Sequence, residues 1–361
     1  MVQSNGEQGS PDAAFFKDIM ALNLPGTFCA HDGYSSKRQK ICRSILVSGQ
    51  TCNTHSFLES DSERCEVPGA DFGCSGLPCT DMSRAGKRQL RHGPTNGVYM
   101  THGKYVESKQ VPIFVLECTP DLDMTMVEDT HPSYDLFQMF LSTSDSGHAV
   151  AKRDRTYVIC SHQEHTSCTY DPEWMLSLIS RRMKSKVQTV PSDYFLATIF
   201  EVQQEAQQLA IRRKIPFQPC CNNMEYLLTQ REENALRSYE KAYFDEYRRS
   251  AKSDPDLIFF LGDDGSTWRT WSAKSGAIPT FRRNCKSGLF WIPSLGRFLT
   301  SREKLAALSW PVDHHISQAM NCQPVGSQDI LRAADIAGNA MHFASVGLAQ
   351  LLALSCFRPM T

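Results

Sequence analysis

The sequence has almost no net charge, no cysteine spacing suited to a metal, and no apolar run long enough for a membrane. Lys and Arg number 38 against 39 Asp and Glu, a formal charge of −1. No global basic field therefore draws the chain to nucleic acid, and any such binding must use local clusters. Fourteen cysteines are present, yet no CxxC pair occurs and no Cys/His set has zinc-finger spacing. Only Cys220 and Cys221 adjoin. The thiols are expected to be reduced and mostly packed as small apolar residues in an intracellular protein, nuclear in a eukaryotic cell. The opening Met1–Asp12 is polar, so no secretion signal is expected. One uncharged, largely apolar stretch, Met341–Phe357, falls short of the roughly 20 residues of a membrane span and reads as a buried helix. No membrane partner and no metal are expected, and there is no internal repeat or low-complexity tract.

What is present reads as α/β. At 361 residues, with 41% hydrophobic and 21% charged content, the chain suits one large domain or two small ones. Residues 1–68 are polar and weakly periodic, with a short amphipathic piece at Ala13–Leu24 and a helix over Lys37–Val47. From Gly69 the pattern sharpens. Ala70–Gly76, Pro112–Leu116 and Thr156–Cys160 read as buried strands, the second of them parallel, with a short helix at Tyr134–Phe140. Such a rhythm suggests a sheet with functional loops at its strand ends. Residues 163–294 differ: Trp174–Lys186, Phe195–Lys214 and Gln230–Arg249 carry helical periodicity, punctuated by Pro191, Pro216, Pro219 and Pro255. Leu257–Leu261 and Phe290–Ile292 read as strands. In 295–361, Thr300-Ser301-Arg302-Glu303 is a capping box that opens a helix through Leu308. Asp329–Cys356 is mostly helical, broken at Gly338-Asn339. The expected domains are 1–68, 69–162, 163–294 and 295–361.

Three places could carry chemistry. Cys79 follows Pro78 at the end of a strand-like run, with Arg84, Lys87 and Arg88 close behind. A thiol attacks as thiolate, so a useful one sits in an electropositive, part-open place; a lone cysteine is otherwise a packing residue. Glu117 ends the apolar run Val111–Leu116, where a glutamate is ordinarily a strand-end charge. Arg153 and Arg155 lie two apart on a predicted strand, which would put both guanidinium groups on one face. The plain alternative is a solvated basic strand.

Taken in order, these residues resemble the C5-cytosine DNA methyltransferase family. Gly76-Leu77-Pro78-Cys79 with Ser83-Arg84-Ala85-Gly86-Lys87 is similar to the family's "G-x-P-C-Q-x-F-S-x-A-G-K", with Thr80 in place of Gln. Glu117-Cys118-Thr119 stands where the family has "E-N-V". Ala151-Lys152-Arg153-Asp154-Arg155-Thr156-Tyr157 resembles "Q-x-R-x-R-x-Y", with Ala151 replacing Gln. Arg297–Pro311 resembles "R-x-L-T-x-R-E-x-A-x-L-Q-G-F-P", and Gly338-Asn339-Ala340-Met341 resembles "G-N-S/A-V". The resemblance covers about 69–161 and 295–352. Residues 163–290 occupy the slot of the target-recognition region; their basic clusters (Arg181-Arg182, Arg212-Arg213-Lys214, Arg248-Arg249, Arg282-Arg283) could contact phosphates.

The resemblance implies a Rossmann-like S-adenosylmethionine-dependent methyltransferase fold with an inserted, largely helical recognition region. It implies that Cys79 attacks C6 of a cytosine flipped out of DNA, that Glu117 contacts N3 and the exocyclic amine as hydrogen-bond partner and acid, and that Arg155, with Arg153, holds the base. Pro78, Tyr99, Asn339 and Ala340 match donor-contacting positions. The family's "F-x-G-x-G" on the first strand is missing before Cys79, so the first strand is expected to be either divergent beyond recognition or absent, and Asp61 is the candidate for the acid that contacts the donor. RNA is the alternative substrate, as in the tRNA branch. A non-catalytic relative that binds without using the donor is the alternative function.

Overall fold

A computed structural model describes residues 18–360 apart from 51–64, 84–85, 149, 220, 283–287 and 327–329. The helices in chain order are α1 (Tyr34–Arg43), α2 (Asn96–Ser108), α3 (Met124–Thr130), α4 (Pro172–Lys186), α5 (Ile199–Arg213), α6 (Gln230–Tyr247), α7 (Ser301–Ala307), α8 (His314–Ala319), α9 (Ile330–Asn339) and α10 (Phe343–Cys356). The strands are β1 (Gly49–Gln50), β2 (Cys65–Glu66), β3 (Gly73–Gly76), β4 (Ile113–Cys118), β5 (Tyr134–Leu141), β6 (Arg155–His162), β7 (Thr166–Cys168), β8 (Phe259–Phe260), β9 (Phe290–Ile292), β10 (Arg297–Phe298) and β11 (Phe357–Pro359). The chain divides into two compact units, one of residues 1–141, 154–178 and 346–361, the other of 142–153 and 179–345. Among the described residues, no single helix is long and apolar enough to cross a membrane.

The first unit is built on a four-stranded sheet in the order β3-β4-β6-β5. β3 and β4 run parallel, joined through α2, whereas β6 is antiparallel to both β4 and β5. All six residues of β4 are buried, as a central strand requires. Its alternate residues Phe114, Leu116 and Cys118 join a core with Tyr99, Val106, Met126 and Val127 from α2 and α3. The opposite face carries Val115 and Glu117. The expectation of a helix at Tyr134–Phe140 is wrong. These residues are β5, paired along all eight positions with β6. The apolar residues Leu136, Phe137, Met139, Phe140 and Leu141 do match a helical period. The open edge of β6 wins, because aromatic and long apolar side chains fill both sides of a pleated strand; Phe137 meets Phe357 at 5.0 Å between ring centroids.

Behind β3 runs a buried polar chain. Ser75 Oγ lies 2.9 Å from His102 Nε2, and His102 Nδ1 lies 3.0 Å from His131 Nε2. His131 Nδ1 is 3.2 Å from the Val127 carbonyl, which can only accept. His131 therefore donates from Nδ1, His102 donates to His131, and Ser75 donates to His102, all with neutral rings. The close approach requires a glycine: a Cβ on Gly103 of α2 would stand 1.9 Å from the Thr130 carbonyl oxygen.

The second unit packs α5 and α6 against the antiparallel sheet β10-β9-β8. β9 serves two cores by simple alternation. Trp291 enters a cluster with Leu209, Leu236 and Tyr239, whereas Phe290 and Ile292 enter one with Phe260, Phe281 and Leu305. The capping box forms as read: Thr300 caps α7 and Glu303 reaches back to the Thr300 amide at 2.8 Å. The same carboxylate, fully buried, takes both arms of Arg297 at 2.8 and 2.9 Å. One glutamate thus stitches β10 to the start of α7, which gives the Arg297–Glu303 spacing a local physical reason.

Burial holds His102 down to about 3 and His131 to about 4, below the ordinary 6.5. The unfolded chain binds these protons near 6.5 and the native state does not. The resulting stability is complete above pH 6.5 and is lost as pH falls toward the folded values, by about 1.4 kcal/mol per pH unit for each histidine. Denaturant unfolding near pH 7.5 and near pH 5 should show a smaller drop in stability for His102→Gln than for the native sequence. An equal drop would contradict the neutral buried pair.

Candidate active site

The parallel register brings the two key segments of the first unit side by side. Gly76 pairs with Glu117, and the Leu77 amide donates to the Glu117 carbonyl at 3.2 Å. Two residues on, Cys79 emerges at the carboxyl end of β3, exposed. On the other flank Glu117 is directly opposite Tyr157 of β6, so Arg155, two residues away, shares its face. Arg155 Nε lies 2.9 Å from Glu117 Oε1, both side chains largely buried. That N–H is not aimed along the contact, and Glu117 Oε1 takes no hydrogen bond among the described residues. The carboxyl group is held by charge with a hydrogen-bonding position unspent.

The Cys79 loop is braced on three sides. The Cys79 carbonyl accepts from the amides of Met82 and Ser83 at 3.0 and 2.8 Å, which turns the chain sharply. A Cβ on Gly86 would stand 1.9 Å from the Thr80 carbonyl oxygen, so the loop closes only over glycine. The Tyr99 hydroxyl, fully buried, donates to the Pro78 carbonyl at 3.0 Å and lies 3.3 Å from Cys118 Sγ. Burial pushes the Tyr99 hydroxyl strongly upward. It also pushes the Cys118 thiol to about 11, a rise opposed by the Tyr99 hydrogen bond and helped by the nearby Cys79 and Glu117. Cys118 is thus a packed, neutral thiol beside an exposed one.

One anchor escapes sequence reasoning. Asp81, buried, accepts from the Thr95 amide at 2.9 Å and the Thr95 hydroxyl at 2.6 Å, at the start of α2. It supplies the helix N-terminus with an acceptor from outside. An acid two residues past Cys79 and a Thr-Asn pair ahead of a helix were the only signals available.

The other expected residues fall elsewhere. Arg84 and Asp61 lie outside the described residues, as does Arg283. Arg88 faces Asp121 at 3.6 Å, so part of its charge is already answered. Arg153 is not on a strand face with Arg155: β6 begins at Arg155, and Arg153 precedes it as a buried residue of the second unit. There the backbone is pinned by its neighbour, the Lys152 amide donating to the Ile278 carbonyl at 2.8 Å. Asn339 ends α9 in the same unit, exposed, its side-chain amide donating to Asp335 at 3.2 Å, and Ala340 follows in the break before α10. Among the described residues, no group of three His, Cys, Asp or Glu is placed to hold a metal ion.

The chain matches the family model of the C-5 cytosine-specific DNA methylases over residues 50–323. No curated protein sequence matches it. Similar solved structures include the Dnmt2 methyltransferase of S. pombe, at 10% identity over 79% of this chain and 76% of that one, with a TM-score of 0.41. The methyltransferase EhMeth of Entamoeba histolytica is similar at 10% identity over 79% and 77%, TM-score 0.41. A protein described as a DNA modification methyltransferase encoded within an E. coli prophage is similar at 15% identity over 82% and 81%, TM-score 0.42.

Asp81→Ala should cost about 1–3 kcal/mol, since it leaves the amide and hydroxyl of Thr95, the N-cap residue of α2, without their buried acceptor. Unfolding by denaturant measures this. A loss under a few tenths of a kcal/mol would show that the Asp81 contact does not hold the loop.

Proposed function

The chain belongs to the C-5 cytosine-specific DNA methylase family, and from that premise we propose that it methylates C5 of cytosine in DNA through a covalent bond to Cys79. The observation that carries this reading is Glu117: a carboxyl group held next to Arg155 by charge, with an oxygen that takes no hydrogen bond among the described residues, at the strand end beside the Cys79 loop. A base edge offers that oxygen a partner.

In this reading the target cytosine leaves the duplex to meet the loop. The Cys79 thiolate bonds to C6. The electrons displaced from the C5–C6 double bond move toward N3, where Glu117, which takes up a proton before the attack, delivers it, and Arg155 keeps the carboxyl group and the base in register. C5 becomes nucleophilic as a result and takes the methyl group. Loss of the C5 proton to solvent, expulsion of the thiolate and return of the N3 proton to Glu117 restore the ring and free Cys79. S-adenosylmethionine, which the family uses, supplies the methyl group when bound. The residues fit a donor beside β3: among the described residues that strand has a partner on the β4 side only, and Gly76 and Cys79 are exposed there. Pro78 is proposed to contact it. Tyr99, buried under the Pro78 carbonyl, acts through Pro78 as a positioning residue.

The test is transfer of labelled methyl from S-adenosylmethionine to duplex DNA and to tRNA in parallel. Label on DNA cytosine is expected. Cys79→Ser should abolish it, and Glu117→Gln should lower it about 10²- to 10⁴-fold. Label on tRNA alone would replace DNA by RNA as substrate. No label on either from folded protein would favour the binding-only relative.

A further inference from the structure

β5 ends the four-stranded sheet of the first unit, and among the described residues no strand pairs with its outer edge. Two hydrogen bonds fix which residues point that way. The Gln163 amide donates to the Ser133 carbonyl at 3.0 Å, so the odd-numbered residues of β6 face β5. The His162 amide donates to the Pro112 carbonyl at 2.9 Å, so the even-numbered ones face β4. Asp135 is paired with Ser161, Phe137 with Ile159 and Met139 with Tyr157, so the odd-numbered residues of β5 turn their N–H and C=O groups toward β6. Leu136, Gln138 and Phe140 turn theirs outward. Tyr134 also points outward, but its amide donates to the His131 carbonyl at 3.2 Å. Among the described residues, the backbone groups of Leu136, Gln138 and Phe140 on that side have no hydrogen-bond partner.

Such an edge is a template for another strand, and sheets ordinarily guard it with lysine, proline, a bulge or a very short strand. β5 has none of these. It is eight residues long, pairs with β6 along its whole length, and carries one charge, that of Asp135, which accepts from the Gln163 side chain at 3.0 Å. Phe140 stands 59% exposed near its end. The outward residues are also complementary to themselves. Antiparallel pairing with a second copy, about a two-fold axis at Gln138, sets Gln138 opposite Gln138 and Leu136 opposite Phe140, and all three exchange both backbone bonds. Moving the axis by one residue sets Phe140 against Tyr134 or Leu136 against Ser142, whose amides are already spent on His131 and Asp145. Opposite residues share a face. The even-numbered side chains lie on the face where Tyr134 and Leu136 join the core under α2 and α3, so the exposed Phe140 ring meets Leu136 of the second copy. On the other face Asp135 meets Leu141, and no like charges are apposed.

We propose that the chain forms a two-fold dimer by antiparallel pairing of β5 with β5 of a second copy, centred on Gln138. The two sheets then run on as one. The axis uses the edge once, so assembly stops at two copies. A single strand pair is small beside the roughly 1,200–2,000 Å² of a standard interface, which sets the expected association in the micromolar range. The inference is independent of the Cys79 chemistry.

Sedimentation velocity of the full chain at low salt, from about 1 to 100 µM, should show monomer passing to dimer. Gln138→Lys places like charges directly opposite each other, as does Gln138→Glu, and each variant alone should stay monomeric across that range. An equimolar mixture of the two should regain the dimer, because position 138 of one copy meets position 138 of the other. Phe140→Lys, at an exposed position, should weaken association about tenfold without moving the melting curve, since its pair with Leu136 occurs on both sides of the axis. A native chain that stays monomeric throughout overturns the proposal, whether the edge remains bare or takes a strand of another protein. So does a dimer that survives both substitutions at Gln138, or one that the mixture fails to restore.

Discussion

The register between β3 and β4 is the constraint on which the site depends. Phe114, Leu116 and Cys118 face the core under α2 and α3, so Glu117 must face the other side. A slip of one residue would exchange the two sets, since strand side chains alternate. It would bury a carboxylate among aromatic and aliphatic side chains, at a cost of several kcal/mol. The apolar periodicity of β4 thereby aims the acid. The Leu77-to-Glu117 hydrogen bond carries the same register one step past the strand, and the Pro78-Cys79 turn starts from that point.

α2 is the scaffold behind this arrangement. Thr95 at its N-cap, Tyr99 one turn later and His102 after it follow one another at helical spacing on one face. Each holds a different part of the Cys79 segment. Thr95 takes Asp81, Tyr99 takes the Pro78 carbonyl, and His102 takes Ser75 of β3. The face is close-packed, with Gly103 admitting the Thr130 carbonyl. The Cys79 thiol itself is left exposed, while Asp81 and Tyr99, which hold its loop, are buried. This is the division of labour a positioned nucleophile needs.

The sequence makes the order of Cys79, Glu117 and Arg155 visible because all three sit at strand ends, where apolar runs stop and polar residues begin. The capping box at Thr300 and Glu303 is visible for a similar local reason. What is not visible depends on contacts distant in sequence. β5 has an apolar pattern that suits a helix and becomes a strand only because β6 offers it an edge. Arg153 and Arg155 are two apart in sequence, but the strand starts between them. The roles of Asp81 and Tyr99 require α2 to be laid under the loop, and no local pattern announces that. The neutral His102–His131 pair is likewise invisible, since a lone histidine in a helix reads as a surface residue. Asp61 falls among residues the structure does not describe.

The central claim is that Cys79 forms a bond to cytosine with Glu117 and Arg155 in place. Incubation with duplex DNA containing 5-fluorocytosine, with and without S-adenosylmethionine, tests it most directly, because fluorine at C5 blocks release of the thiol. A donor-dependent covalent protein–DNA species that disappears in Cys79→Ser is the predicted result. The absence of that species from folded protein, on DNA and on a matching RNA, or its persistence in Cys79→Ser, would contradict the account.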